Sequence, residues 1–258
     1  MLFFIGQVFP YIAVATFIIG MVWRVTIWLK VPVPFQITLF PAPHSTVGRI
    51  TAVGRELFLF SSLRRGDSGG LWFWAWFMHI MLAMIIIGHV VGIYYLTRQF
   101  TLIGLTEAAS SRLSAFLGTV SGVSCFLALI VLLYRRTVIP EVKRLSDPAD
   151  YFDLLLLLAV VISGMHMRLT SIEINLSEIR EYLGSLIMLR PLPIPQKWVF
   201  VSHFTLVNLF LLYFPFSKLV HLSGFFVNRA MLVEAAPVYP TRKGVSRDAR
   251  ILKEVRNV

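Results

Sequence analysis

Residues 72–96 read WFWAWFMHIMLAMIIIGHVVGIYYL, with no Asp, Glu, Lys or Arg and two histidines, His79 and His89. That length suits one helix across a bilayer core, which needs about 20 apolar residues. Residues 198–222, WVFVSHFTLVNLFLLYFPFSKLVHL, carry one charged residue, Lys218, and again two histidines, His203 and His221. An imidazole facing lipid forfeits its hydrogen bonds, so intramembrane histidines turn inward toward partners. Bundles build cofactor sites from side chains on facing helices, and neutral imidazole is an iron ligand. Two helices carrying two histidines each therefore predict two hemes, each held by one histidine from either helix. Metal transport and proton relay are the competing readings. Both ordinarily recruit carboxylates, and neither stretch contains one.

Composition puts the rest of the chain in the same setting. Hydrophobic residues make up 57% of the 258 and charged ones 14%, against roughly 25% in soluble domains; mean hydropathy is +0.76. The single cysteine, Cys125, lies in GVSCFLALIVLLY. An internal disulfide, an iron–sulfur cluster held by this chain alone and covalent c-type heme are thereby excluded. The formal net charge of +11 arises from residues clustered between apolar runs, as topology determinants are, so no nucleic-acid partner is expected.

Five spans follow, at about 3–28, 71–97, 113–134, 151–169 and 198–222. The fold class expected is an all-α, five-helix transmembrane bundle over residues 1–223, followed by a basic tail over 224–258. The first span lacks a basic leader and a small-residue cleavage site, and reads as retained. With the N-terminus outside, 18 of the 24 Lys and Arg fall at inner segments. Only Arg98, Arg112, Arg168, Arg180, Arg190 and Lys197 fall outside. The positive-inside rule then puts the C-terminus in the cytoplasm, with the chain in the cytoplasmic membrane. The loop at 30–70 opens with VPVPFQITLFPAP, and its GRELFLFSSLRR is expected to lie as a short amphipathic helix. Ile172, Leu176, Ile179, Leu183 and Leu186 share one helical face, predicting an outer surface helix.

The second and fifth spans are antiparallel, which brings His79 level with His221 on the inner side and His89 level with His203 on the outer. A continuous helix rises about 15 Å between the first two and about 27 Å between the others, so roughly 6 Å must be absorbed at each site. Pro215 is expected to kink the fifth span between its histidines. The outer Arg112 and Arg168 could pair with heme propionates or snorkel to phosphate. His166 reads as a headgroup-facing residue or a quinol contact, His44 as a loop or interface residue, and Trp72, Trp74 and Trp76 as an interfacial belt.

The chain resembles the cytochrome b, or gamma, subunit family of respiratory nitrate reductase. The resemblance rests on FPYIAVATFIIG, on Gly88–His89 ten residues after His79, on SGVSCFLALIVLLYRR, and above all on HFTLVNLFLLYFPFSKLVH. It implies heme b ligated by His79 and His221 inside, and by His89 and His203 outside. The 30–70 loop is more similar to the M subunit of the sulfite-reduction-associated complex (DsrM) and to the membrane cytochrome of heterodisulfide reductase. This branch implies electron transfer between a membrane quinol, menaquinol by expectation, and a cytoplasmic iron–sulfur subunit related to heterodisulfide reductase, within a larger complex. Such a subunit belongs to an oxidoreductase complex but does not act on a terminal substrate alone. A quinol pocket is expected on the outer side beside His89, at Gly88, the start of the third span around Arg112, and His166, with close helix packing as the competing reading of Gly88. The family's lysine before the third span is absent, and Arg112 is its nearest substitute.

Overall fold

Residues 1–30, 45–66, 70–170 and 175–234 are described by a computed structural model. The Pro-rich stretch 31–44 with His44, Ile172 and the tail from 235 onward lie outside them. Every regular element among the described residues is helical: α1 (Phe9–Lys30, continuing a π turn at Phe4–Val8), α2 (Thr46–Leu59), α3 (Ser61–Gly66), α4 (Leu71–Tyr95) and α5 (Glu107–Val138) come first. They are followed by α6 (Pro140–Arg144), α7 (Pro148–Leu169), α8 (Leu176–Ile187), α9 (Trp198–Tyr213) and α10 (His221–Glu234). Five helical stretches are long and apolar enough to cross a membrane: Phe4–Lys30, Leu71–Tyr95, Glu107–Val138, Pro148–Leu169 and Trp198–Phe216. The protein is a multi-pass membrane protein.

The chain forms two compact units, Met1–Ile19 with Asp67–Lys218, and Gly20–Gly66 with Leu219–Val258. In the first unit α4 packs on α5, α5 on α7, and α7 on α9. Met78, Cys125, Ala128, Leu129, Leu157, Leu158 and Val161 form the core of that row. Small residues let α5 sit tightly against its neighbours. Cys125 is fully buried; a Cβ on Gly122 would collide with Met165 Sδ, and one on Gly118 would stand 3.0 Å from the Arg168 guanidinium. Close approach at small residues is how membrane helices gain packing without a hydrophobic drive.

Capping sets the register. α4 ends in two left-handed residues, Leu96 (φ 51°) and Thr97 (φ 66°). The fully buried Ser110 donates to Thr97 O at 2.7 Å and accepts from Phe100 N, tying that corner to α5. α7 opens on Asp147 as N-cap with Pro148 at its first position, and Asp150 completes a reciprocal capping box. Lys218 closes the same end, 2.6 Å from Asp147 Oδ2 and 2.9 Å from Asp150 Oδ1, while Arg136 reaches Asp150 at 3.1 Å.

The amphipathic helix expected around 172–187 forms as α8. Ile179 and Tyr182 are buried, with Leu183 and Leu186 packed beside them. The Tyr182 hydroxyl donates to Gly6 O at 2.6 Å, Tyr11 donates to Leu186 O at 3.0 Å, and Arg180 donates to Tyr94 O at 3.2 Å. α8 is thus stitched to the start of the first span and to the end of α4.

In the second unit, GRELFLFSSLRR is two helices. Phe60, left-handed at φ 48°, ends α2, and the Glu56 carboxylate accepts from the Ser61 and Ser62 hydroxyls at the corner. Gly224 of α10 faces Trp28, leaving ordinary contact distance for a Cβ.

The expected single helix over 198–222 does not form. α9 stops at Tyr213, a 3-10 turn spans Phe214–Phe216, Ser217 is extended, and a second 3-10 turn precedes α10. Pro215 lacks an N–H and crowds the preceding carbonyl, so it breaks the helix where a kink was expected. The helical ruler therefore does not apply between His203 and His221.

Candidate functional site

His89 and His203 come together from α4 and α9, although those two helices are not among the closely packed pairs. Their ring centroids are 6.2 Å apart and their planes 24° from parallel. With metal–nitrogen bonds of about 2 Å on either side, two imidazoles on one metal hold their centroids roughly 6 Å apart. The separation matches.

The ring protons can be assigned from their partners. His89 Nδ1 lies 2.7 Å from Ile85 O, and His79 Nδ1 lies 2.7 Å from Ala75 O. A carbonyl only accepts, so both rings carry their proton on Nδ1, leaving Nε2 as the lone-pair nitrogen. His203 is held differently. Its Nδ1 lies 2.9 Å from Ser163 Oγ on α7, and that hydroxyl donates to Val160 O at 2.9 Å. With the serine proton directed there, Nδ1–H is shared between Ser163 Oγ and the Val160 carbonyl, and Nε2 again bears the lone pair. Gly164 lies under the ring, where a Cβ would stand 3.1 Å from Cε1. Neither Ser163 nor Gly164 was singled out from sequence; the only signal is a Ser-Gly pair interrupting the apolar run LLLLLAVVISGM.

Among the described residues, no group of three or more His, Cys, Asp or Glu could hold a bare metal ion. A two-histidine pair suits a metal that arrives with its other ligands already attached, as iron does in a porphyrin. His221 opens α10 in the second unit.

The predicted quinol-pocket residues have different surroundings. Gly88 faces open space, Arg112 is exposed near the start of α5, and the His166 ring packs 5.0 Å from Trp198. An apolar groove of about 660 Å³ includes none of them; Met1, Leu2 and Ile5 line one side, and Trp198, Val201 and Leu206 the other. Arg168, expected at a propionate or a lipid phosphate, instead donates to Ser114 O, Ala115 O and Thr119 Oγ1. The bare Gly118 surface leaves room for its guanidinium against α5.

The profile of the family described as "Nitrate reductase gamma subunit" covers residues 67–241, from before α4 to beyond α10. The chain belongs to the nitrate reductase gamma-subunit family. Among similar proteins is the Hdr-like menaquinol oxidoreductase cytochrome b-like subunit of Archaeoglobus fulgidus, 30% identical over 260 residues, spanning 86% of this chain and 76% of that protein. Its counterpart from Archaeoglobus profundus is 27% identical with the same coverage. The nitrate reductase gamma chain of Bacillus subtilis is 25% identical over 222 residues, spanning 83% of this chain and 87% of that one. The gamma-subunit match includes α4, α9 and α10, which carry the four histidines, as well as α5 and α7, which lie between α4 and α9 in the packed row.

Proposed function

We propose that this protein is a diheme cytochrome b subunit that passes electrons between membrane quinol and a cytoplasmic iron–sulfur subunit. The observation that carries the proposal is the His89–His203 pair, one ring from α4 and one from α9, set at metal-sharing distance. The relatives named as cytochrome b-like subunits of menaquinol oxidoreductases support the same reading and favour menaquinol. Their Hdr-like designation agrees with a partner related to heterodisulfide reductase, and we assign the complex to the sulfite-reduction-associated type on the resemblance of the 30–70 loop.

Heme, when bound, supplies the one-electron chemistry. His89 and His203 would hold the outer group, and by the family resemblance His79 and His221 the inner. With both positions so filled, the chain would relay electrons and not activate a terminal substrate. Positive-inside charge puts His89 and His203 toward the outside and the basic loop and tail toward the cytoplasm, where the iron–sulfur partner docks. Quinol binds on the outer side near Gly88, with Arg112 and His166 at its margins, and its protons leave outside.

Absorbance of the purified protein tests the reading through the sharp reduced alpha band of low-spin heme b. His89→Ala and His203→Ala should each remove the same potentiometric component, and His79→Ala and His221→Ala the other. A colourless preparation, or one component shared by His79 and His203, defeats the assignment.

A further inference from the structure

Ser163 and Gly164 on α7 form a bed for the His203 ring, whereas the Nδ1 atoms of His79 and His89 are held by carbonyls of α4. Those two histidines donate to carbonyls four residues back on their own helix. The corresponding carbonyl for His203 is Val199 O, and it already accepts the Ser202 hydroxyl at 3.1 Å. A carbonyl has two lone pairs, and in a helix one of them takes the backbone N–H four residues on. Ser202 takes the other, so no intrahelical acceptor remains for the imidazole. The ring turns to α7, where Nδ1–H meets Ser163 Oγ at 2.9 Å and the Val160 carbonyl beside it. Gly164, the next residue, has nothing beyond its Cα to obstruct the approach.

We propose that Ser163 is the positioning residue that orients His203 and sets the electron affinity of the outer redox center, with Gly164 opening the space in which it acts. This rests on the reading of His203 as a heme ligand. An acceptor on the far ring nitrogen raises the basicity of the ligating one and so favours the oxidised metal. A hydroxyl that donates its own proton elsewhere is a weaker acceptor than a carboxylate and a stronger one than no group. Graded substitution at Ser163 therefore moves the outer center in a defined order. The Nδ1 hydrogen bonds of His79 and His89 to carbonyls of α4 are not touched by these substitutions.

The test is redox potentiometry with low-temperature electron paramagnetic resonance on the purified full-length protein. The outer component is identified as the one lost in His203→Ala. Ser163→Ala should shift the outer reduction equilibrium about tenfold toward the reduced form, which for one electron is 59 mV upward, and should change its low-spin signal. Ser163→Asp should shift it the opposite way, and Ser163→Thr should restore wild-type behaviour. The inner component should stay put in all three. An outer potential and signal unchanged in both Ala and Asp variants overturns the proposal. If the Ala variant loses the outer heme outright, rescue by Thr supports the proposal and failure of rescue overturns it. Gly164→Val should deplete the outer heme alone, and an undisturbed outer heme in that variant also counts against the bed. Wild-type protein without heme b would instead sink the functional reading, a different result from any of these.

Discussion

Glycines at two helix contacts act through what stands opposite them. A Cβ on Gly6 would lie 2.6 Å from Ile194 Cβ, an atom rooted on the backbone, whereas one on Gly122 would meet the mobile thioether of Met165. Gly6→Ala should cost on the order of 1–3 kcal/mol, the usual range for overpacking, and more than Gly122→Ala, because Met165 can swing aside. Thermal unfolding of the detergent-solubilised protein in the two variants checks the order. The Gly6 carbonyl also receives the Tyr182 hydroxyl, so displacement there propagates to α8. At this scale the histidines were legible in the sequence, because ionisable side chains in charge-free runs are rare. Their hydrogen-bond partners were not. Ser163 is forty positions from His203, and no local pattern reports that Val199 O is already occupied.

Among elements, the corner joining α7 to the segment after α9 depends on charge. Hydrogen bonding to Lys218 holds the Asp147 carboxyl below its ordinary value, and the Asp147 and Asp150 carboxylates hold the Lys218 ammonium above its own. A lowered carboxyl pKa contributes stability that is present above the unfolded value and is lost as pH falls through the folded one. A raised lysine pKa contributes stability below the unfolded value, lost as pH climbs through the folded one. The corner is therefore intact at neutral pH and weakens below about pH 4 and above about pH 10, near the free side-chain values. Lys218→Gln should flatten the acid side of a thermal-midpoint-against-pH curve, and an unaltered acid limb would show the pairing to be inert. Both carboxylates lie in SDPAD, whose capping role follows from local sequence, but their lysine stands about seventy residues on. The helix break had a visible cause in Pro215, yet sequence spacing alone suggested a kinked continuous helix, because many membrane helices absorb a proline.

For the whole molecule, the proposed function turns on the route from lipid to the proposed outer heme. Gly88 leaves open space next to His89, and Arg112 is exposed near the start of α5. Gly88→Leu and Arg112→Ala should both slow heme reduction by quinol analogues while dithionite reduction stays normal. Wild-type quinol rates in both variants would move the site, with the groove beside Trp198 as the next place to examine. The sequence by itself determined that the chain crosses a membrane on five helices and which four histidines stand out. Those are local properties: a charge-free run of bilayer length must satisfy its backbone within its own helix, and an imidazole inside such a run is conspicuous. The antiparallel levels of the two spans already paired His89 with His203; tertiary structure alone decided that their rings stand 6.2 Å apart, that α7 supplies the hydroxyl and the bare glycine beneath the His203 ring, and that Arg168 is spent on α5. Each depends on which lone pairs and which empty volumes packing brings opposite one another, and helix periodicity does not encode that.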